Sequence, residues 1–212
     1  MKITKYKHTT YNVEANGKNI LIDPGIFAFC DGLLSKDYFE NIDILLLSHL
    51  HADHFDIEAI RKIYKKCKPK VFSQKDVTVE LRKDGIESST LLAGETVSLD
   101  SLIISATRTA HKQDAIGFLI DDGKTRLFYV SDSFYIEDRP NANIVIVPIG
   151  NRGIVMGPED AATYVKEIGP KIAIPSHYET PKDKVQPEEF RNKMKGSGIE
   201  VKILVHRESF EI

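Results

Sequence analysis

The chain has 212 residues, a formal net charge of −2, 42% hydrophobic and 28% charged residues; that is enough apolar sequence for one sizeable α/β core, with too balanced a charge for a constitutive polyanion binder. No apolar run approaches the roughly 20 residues of a membrane span, and Met1-Lys2-Ile3-Thr4-Lys5-Tyr6-Lys7 lacks the apolar stretch of a secretion signal. Cys30 and Cys67 form no CxxC pattern, so reduced thiols, a cytoplasmic location and no membrane partner are the expectation.

In chain order, alternating residues lead into Ala15-Asn16-Gly17-Lys18, a type I′ turn signal, and return through Asn19-Ile20-Leu21-Ile22-Asp23 as a hairpin. A short helix is predicted near Ser35–Glu40, then a buried strand at Ile42–Leu47. Acidic residues early and apolar Ile57, Ile60, Ile63 and Tyr64 at helical spacing predict a helix from Asp56 to Lys66. A strand at Lys70–Ser73, a helix at Asp76–Lys83 stopped by Gly85, and paired strands through Thr109 complete the first half. The second half repeats the theme. Strands at Ile116–Asp121 and Thr125–Val130 join at Asp122-Gly123. They are followed by a strand at Asn143–Val147, a helix at Pro158–Ile168 with Pro first and Gly169 just past its end, and a strand at Lys171–Ile174. A helix at Pro187–Lys195 and a strand at Val201–Leu204 close the chain. No linker-like stretch or short-period repeat interrupts it, so 1–212 reads as a single domain of two sheets with helices outside.

The segment Ser48-His49-Leu50-His51-Ala52-Asp53-His54 places three imidazoles and a carboxylate directly behind the apolar strand. Neutral imidazole nitrogen and carboxylate oxygen bind divalent ions at roughly 2.0–2.2 Å for zinc. Residues two apart on an extended chain point the same way, so His49 and His51 can grip one ion. Asp53 and His54 reach a second if a helix begins there. His111, Asp132 and His177 each follow a predicted strand as well. Five of the seven histidines and two aspartates therefore fall at strand exits, where open α/β sheets place their ligand sites.

This pattern resembles the metallo-β-lactamase fold superfamily: His49-x-His51-x-Asp53-His54, then His111, Asp132 and His177, with Ile20-Leu21-Ile22-Asp23-Pro24-Gly25 upstream. The resemblance implies an α/β fold, a four-layer αβ/βα sandwich of two mixed sheets with helices on the outer faces. It implies that His49, His51 and His111 hold one metal, that Asp53, His54 and His177 hold a second, and that Asp132 bridges them. Asp23 would orient the ligand loop from behind. A narrower resemblance, carried by Val147 to Ala162 and by Ile174-Pro175-Ser176-His177-Tyr178, is to small single-domain hydrolases that include ascorbate-6-phosphate lactonase-like proteins. Lys7-His8-Thr9-Thr10 stands where that family more often has glycine, histidine and a small residue.

Two ions of this kind, zinc first with manganese or iron as alternatives, imply a hydrolase. An activated hydroxide, aimed by Asp53 between ions whose separation Asp132 fixes, would cleave an ester, lactone or phosphoester of a small anionic metabolite. Asn151, Arg152, Tyr178 and His8 are the candidate substrate contacts. The basic run Arg61, Lys62, Lys65, Lys66, Lys68 and Lys70 fits the solvated face of one helix, so no nucleic acid partner is expected. The sequence leaves homo-oligomerisation open. An iron redox enzyme on the same fold, or a nuclease or phosphodiesterase, are the competing readings. The first lacks room for a flavin domain, and the second lacks a nucleic-acid-gripping element.

Overall fold

The structure, a computed structural model, describes residues 1–150, 153–180 and 184–212. The chain divides into two units, Met1–Leu92 with Val205–Ile212, and Ala93–Leu204.

The first unit holds strands β1 (Lys2–Lys5), β2 (Tyr11–Ala15), β3 (Lys18–Ile22), β4 (Ile44–Leu47), β5 (Lys70–Ser73) and β6 (Ser89–Thr90), with helices α1 (Ile57–Cys67) and α2 (Lys75–Lys83). Its β2–β3 turn follows from Asn16 and Gly17, whose φ of 49° and 73° suit the two-residue type I′ loop. Beyond β3 the strands run parallel through β4, β5 and β6. All of β4 is buried, as is usual for a central parallel strand. On one face Leu45 and Leu47 pack with Ile60 and Ile63 of α1 and Val77 and Leu81 of α2. Asp56 caps α1 by accepting from the Glu58 and Ala59 amides, and Lys68 in the left-handed region ends it.

The predicted helix at Ser35–Glu40 does not form. That segment makes a single turn, with the Tyr38 amide donating to Ser35 O, and short 3-10 turns occur earlier, at Ile26–Ala28 and Cys30–Gly32. Six residues are too few to offset helix nucleation alone. Tertiary contacts decide instead: Lys36 bridges Asp56 and Glu58, and the Tyr38 and Phe39 rings pack edge-on against Tyr6.

The second unit contains β7 (Thr96–Leu99), β8 (Leu102–Thr107), β9 (Gly117–Asp121), β10 (Arg126–Tyr129), β11 (Ile144–Pro148), β12 (Ile172–Ser176) and β13 (Glu200–Val201), with α3 (Pro158–Ile168) and α4 (Pro187–Lys193). Its sheet order, β13-β12-β11-β10-β9-β8-β7, is parallel through β10 and antiparallel beyond. The first unit's order is β14-β1-β2-β3-β4-β5-β6, where β14 (Ser209–Glu211) pairs with β1. Both sheets are therefore half antiparallel and half parallel. Val145, Val147 and Ala173 pack on one face with Ala161 and Val165 of α3 and Phe190 of α4. Among the described residues, no helix is long and apolar enough to cross a membrane.

Candidate functional site

In the first unit, Asp23 leaves β3 and Ser48-His49 leave β4, two neighbouring parallel strands, so both exit at one edge. Asp23 is fully buried at φ 43°, an uncommon conformation for a residue with a side chain. Its Oδ1 accepts from the Ser48 amide at 2.8 Å, and its Oδ2 accepts from the Ser48 hydroxyl at 2.6 Å. His54 Nδ1 lies 2.7 Å from the same Oδ2. A carboxylate only accepts, so His54 carries its proton on Nδ1 and its lone pair on Nε2.

His49 Nδ1 lies 2.9 Å from the Ser48 hydroxyl, and its Nε2 is 3.0 Å from His51 Nδ1. Two nitrogens ligating one ion at about 2.05 Å stand roughly 3.3 Å apart at the tetrahedral angle, so this separation fits a shared ion. Asp53 Oδ2 is 3.8 Å from His54 Nε2 and 3.2 Å from Nε2 of the buried His8. Asp53 and His54 sit in a turn, not at a helix start: the His54 and Phe55 amides both donate to His51 O, and α1 begins only at Ile57.

His8 follows Lys7, and both have positive φ, 56° and 104°. The Thr9 hydroxyl donates to Asp53 O and the Thr10 hydroxyl to Asp23 O, tying this turn to the ligand loop. Gly25 is needed there by close approach, since a Cβ on it would stand 1.8 Å from Asp53 O.

In the second unit, His111 follows β8, Asp132 follows β10 and His177 follows β12; these strands point the same way. Asp132 Oδ2 lies 3.8 Å from His111 Nε2 and 3.4 Å from His177 Nε2, all three side chains being nearly inaccessible. His111 Nδ1 approaches Ile154 O at 3.2 Å, the kind of bond that fixes which nitrogen faces a metal. The Tyr178 ring packs on the hydrophobic cluster of α3 and α4. Asn151 and Arg152 lie outside the described residues.

Three of the six residues of the basic run have local partners. Arg61 pairs with Asp84, Lys66 with Glu40, and Lys68 lies over the Tyr64 ring. Sequence reading missed Ser48, Gly25 and Ser133. The Ser133 hydroxyl accepts from the Ala110 amide and donates to Phe134 O, pinning the His111 loop to the Asp132 loop. The only signal for the two serines was adjacency to a candidate ligand.

The donor chemistry fits divalent metal: buried and half-buried imidazoles and carboxylates, with the orientation of several rings set by second partners. Solved structures agree. Igni18, a novel metallo hydrolase from Ignicoccus hospitalis, is similar with a TM-score of 0.87 at 27% identity, covering 100% of this chain and 98% of that one. The metallo-β-lactamase fold protein YhfI from Bacillus subtilis superposes with a TM-score of 0.80 at 18% identity, covering 99% of each chain, a likeness of fold alone. Fold and residues together define the class, a metal-dependent hydrolase of metallo-β-lactamase fold. A UPF0173 metal-dependent hydrolase of Methanocaldococcus jannaschii is 30% identical over 216 residues, 94% of this chain and 94% of that protein. The chain belongs to the β-lactamase superfamily, whose domain matches residues 2–177, and within it to the UPF0173 metal-dependent hydrolases.

Proposed function

We propose that the chain, acting as one domain, hydrolyses an ester, lactone or phosphoester bond of a small anionic metabolite using two divalent ions, with zinc the first choice. His49, His51 and His111 would hold one ion and Asp53, His54 and His177 the other, with Asp132 as the residue that would be shared between them. The observation that carries this reading is Asp132, whose one oxygen stands beside both His111 and His177, residues assigned to different ions. The grouping of His49 with His51, and of Asp53 with His54, is supported by their separations.

When bound, such ions supply Lewis acidity and lower the pKa of water toward roughly 7. The chain's own residues do the rest. Asp53 accepts a hydrogen bond from the attacking water and aims it. His8, 3.2 Å from Asp53, is the nearest group in the first unit able to pass a proton onward, toward the leaving oxygen. Asn151 and Arg152 follow β11 and offer amide and guanidinium donors to an anionic substrate.

The test is elemental analysis of the purified protein, followed by a hydrolysis screen over lactones, phosphodiesters and thioesters. Two equivalents of metal with turnover of one class are expected. Asp132→Ala should lose metal and turnover together. Full metal content in that variant would refute the bridging role, and iron with oxygen uptake in the wild type would refute hydrolysis.

A further inference from the structure

We propose that Ser48 is a positioning residue that extends one buried carboxylate, Asp23, to the imidazoles of both metal positions. The inference rests on the two-ion reading above.

The hydroxyl of Ser48 is surrounded by a set of partners that leaves one consistent pattern. Asp23 Oδ2, at 2.6 Å, can only accept, so the Ser48 proton points to Asp23. The oxygen of Ser48 then has lone pairs to offer, and His49 Nδ1, at 2.9 Å, donates to it. His49 is thereby held as the Nδ1–H tautomer and turns Nε2 toward His51. His54 Nδ1 has a choice between Asp23 Oδ2 at 2.7 Å and Ser48 Oγ at 3.4 Å, and the shorter, charge-assisted contact prevails. One carboxylate thus fixes two tautomers, His54 directly and His49 through a hydroxyl.

The arrangement is rigid because each member is buried and bonded more than once. Ser48, His49, His54 and Asp23 are all 0% exposed. The backbone amide of Ser48 also donates to Asp23, so the serine cannot rotate away without losing a second bond. The two metal positions are consequently unequal. Removing the Ser48 hydroxyl cuts the link to His49 and leaves the Asp23–His54 bond in place.

Two measurements test this. In metal-free wild-type protein at mildly alkaline pH, two-bond proton–nitrogen correlation spectra should show Nδ1–H tautomers for both His49 and His54. An Nε2–H tautomer at His49 overturns the proposal without any variant having to fold. Zinc titration against a chromophoric chelator should then find two ions in the wild type. In Ser48→Ala one ion should bind about 10- to 100-fold more weakly, as loss of an outer partner typically produces, and the other should be unchanged within error. Ser48→Thr, which keeps the hydroxyl, should restore the first ion. Unchanged affinity at both positions in Ser48→Ala, or equal loss at both, overturns the role of Ser48. A wild type that takes up fewer than two ions overturns the two-ion reading itself, and this inference with it.

Discussion

Gly25→Ala probes how the Ile22-Asp23-Pro24-Gly25 turn and the ligand loop fit together. The backbone at Gly25, φ −86° and ψ 169°, is one that alanine adopts without strain, so any effect is steric. The added Cβ would lie 1.8 Å from Asp53 O, 2.1 Å from its carbonyl carbon and 2.7 Å from the His54 amide nitrogen. Ordinary carbon–oxygen contacts are about 3.3 Å or longer, so one backbone segment must retreat by roughly 1.5 Å. Bonds that join the segments lie in its path: Ile26 N to Ala52 O, Asp56 N to Pro24 O, and the Thr9 hydroxyl to Asp53 O. Losing two of them at about 1 kcal/mol each, with about 1–3 kcal/mol for overpacking, gives about 3–5 kcal/mol. The denaturant midpoint of the metal-free protein at constant slope measures it. Gly157→Ala is the control, because that position has similar extended backbone and nothing within 4 Å of the added carbon. A Gly25→Ala midpoint no lower than that of Gly157→Ala would refute the close approach.

Stripping metal with a chelator should lower the melting temperature, since ions that bind only the native state at a hundred times their Kd contribute about 2.7 kcal/mol each. A scan with and without chelator should show a drop of about 5–10 °C per ion for a chain of this length, and an unchanged transition would mean that no ion is resident. The Lys36 ammonium holds the Glu58 carboxyl below its usual range. A depressed carboxylate stabilises the fold above its unfolded pKa, and that contribution is lost as pH falls through the depressed value. Lys36→Met should therefore flatten the acid limb of the stability–pH curve. Parallel wild-type and variant curves on that limb would show that the ion pair adds nothing.

The candidate ligands stood out because metal chemistry restricts residue type, and because an apolar run that ends abruptly in His49-x-His51-x-Asp53-His54 marks a strand exit from local sequence alone. Helix α3 was legible to the residue for a similar reason, with Pro158 at its start and Gly169 in the left-handed region at its end. What was not legible depends on distant partners. Gly25 is dictated by a carbonyl 28 positions later, and Ser48 by a carboxylate 25 positions earlier. The Ser35–Glu40 segment looks helical in isolation and is claimed by Asp56, Glu58 and Tyr6 instead. Strand β14 was missed because only its pairing with β1, at the far end of the chain, makes Ser209–Glu211 a strand.

A strand exit is useful for chemistry only if the chain turns sharply there, and the backbone shows how this is achieved. Asp23, Ser131 and His177, which stand just past the ends of β3, β10 and β12, have φ of 43°, 61° and 59°. Left-handed backbone costs a residue with a Cβ roughly 1–2 kcal/mol, so three such positions would weaken a marginal fold unless they were held from several sides. Asp23 is so held. Its carboxylate takes the Ser48 amide, the Ser48 hydroxyl and His54, while its carbonyl takes the Thr10 hydroxyl. Its own amide donates to Leu46 O of the neighbouring strand. Gly150 serves the corresponding end of β11, where a Cβ would meet His177 Nδ1 at 2.7 Å and its carbonyl oxygen at 2.8 Å. The same bonds that offset the strain at Asp23 also set the direction of the imidazoles, so stability of the turn and orientation of those rings cannot be varied independently there.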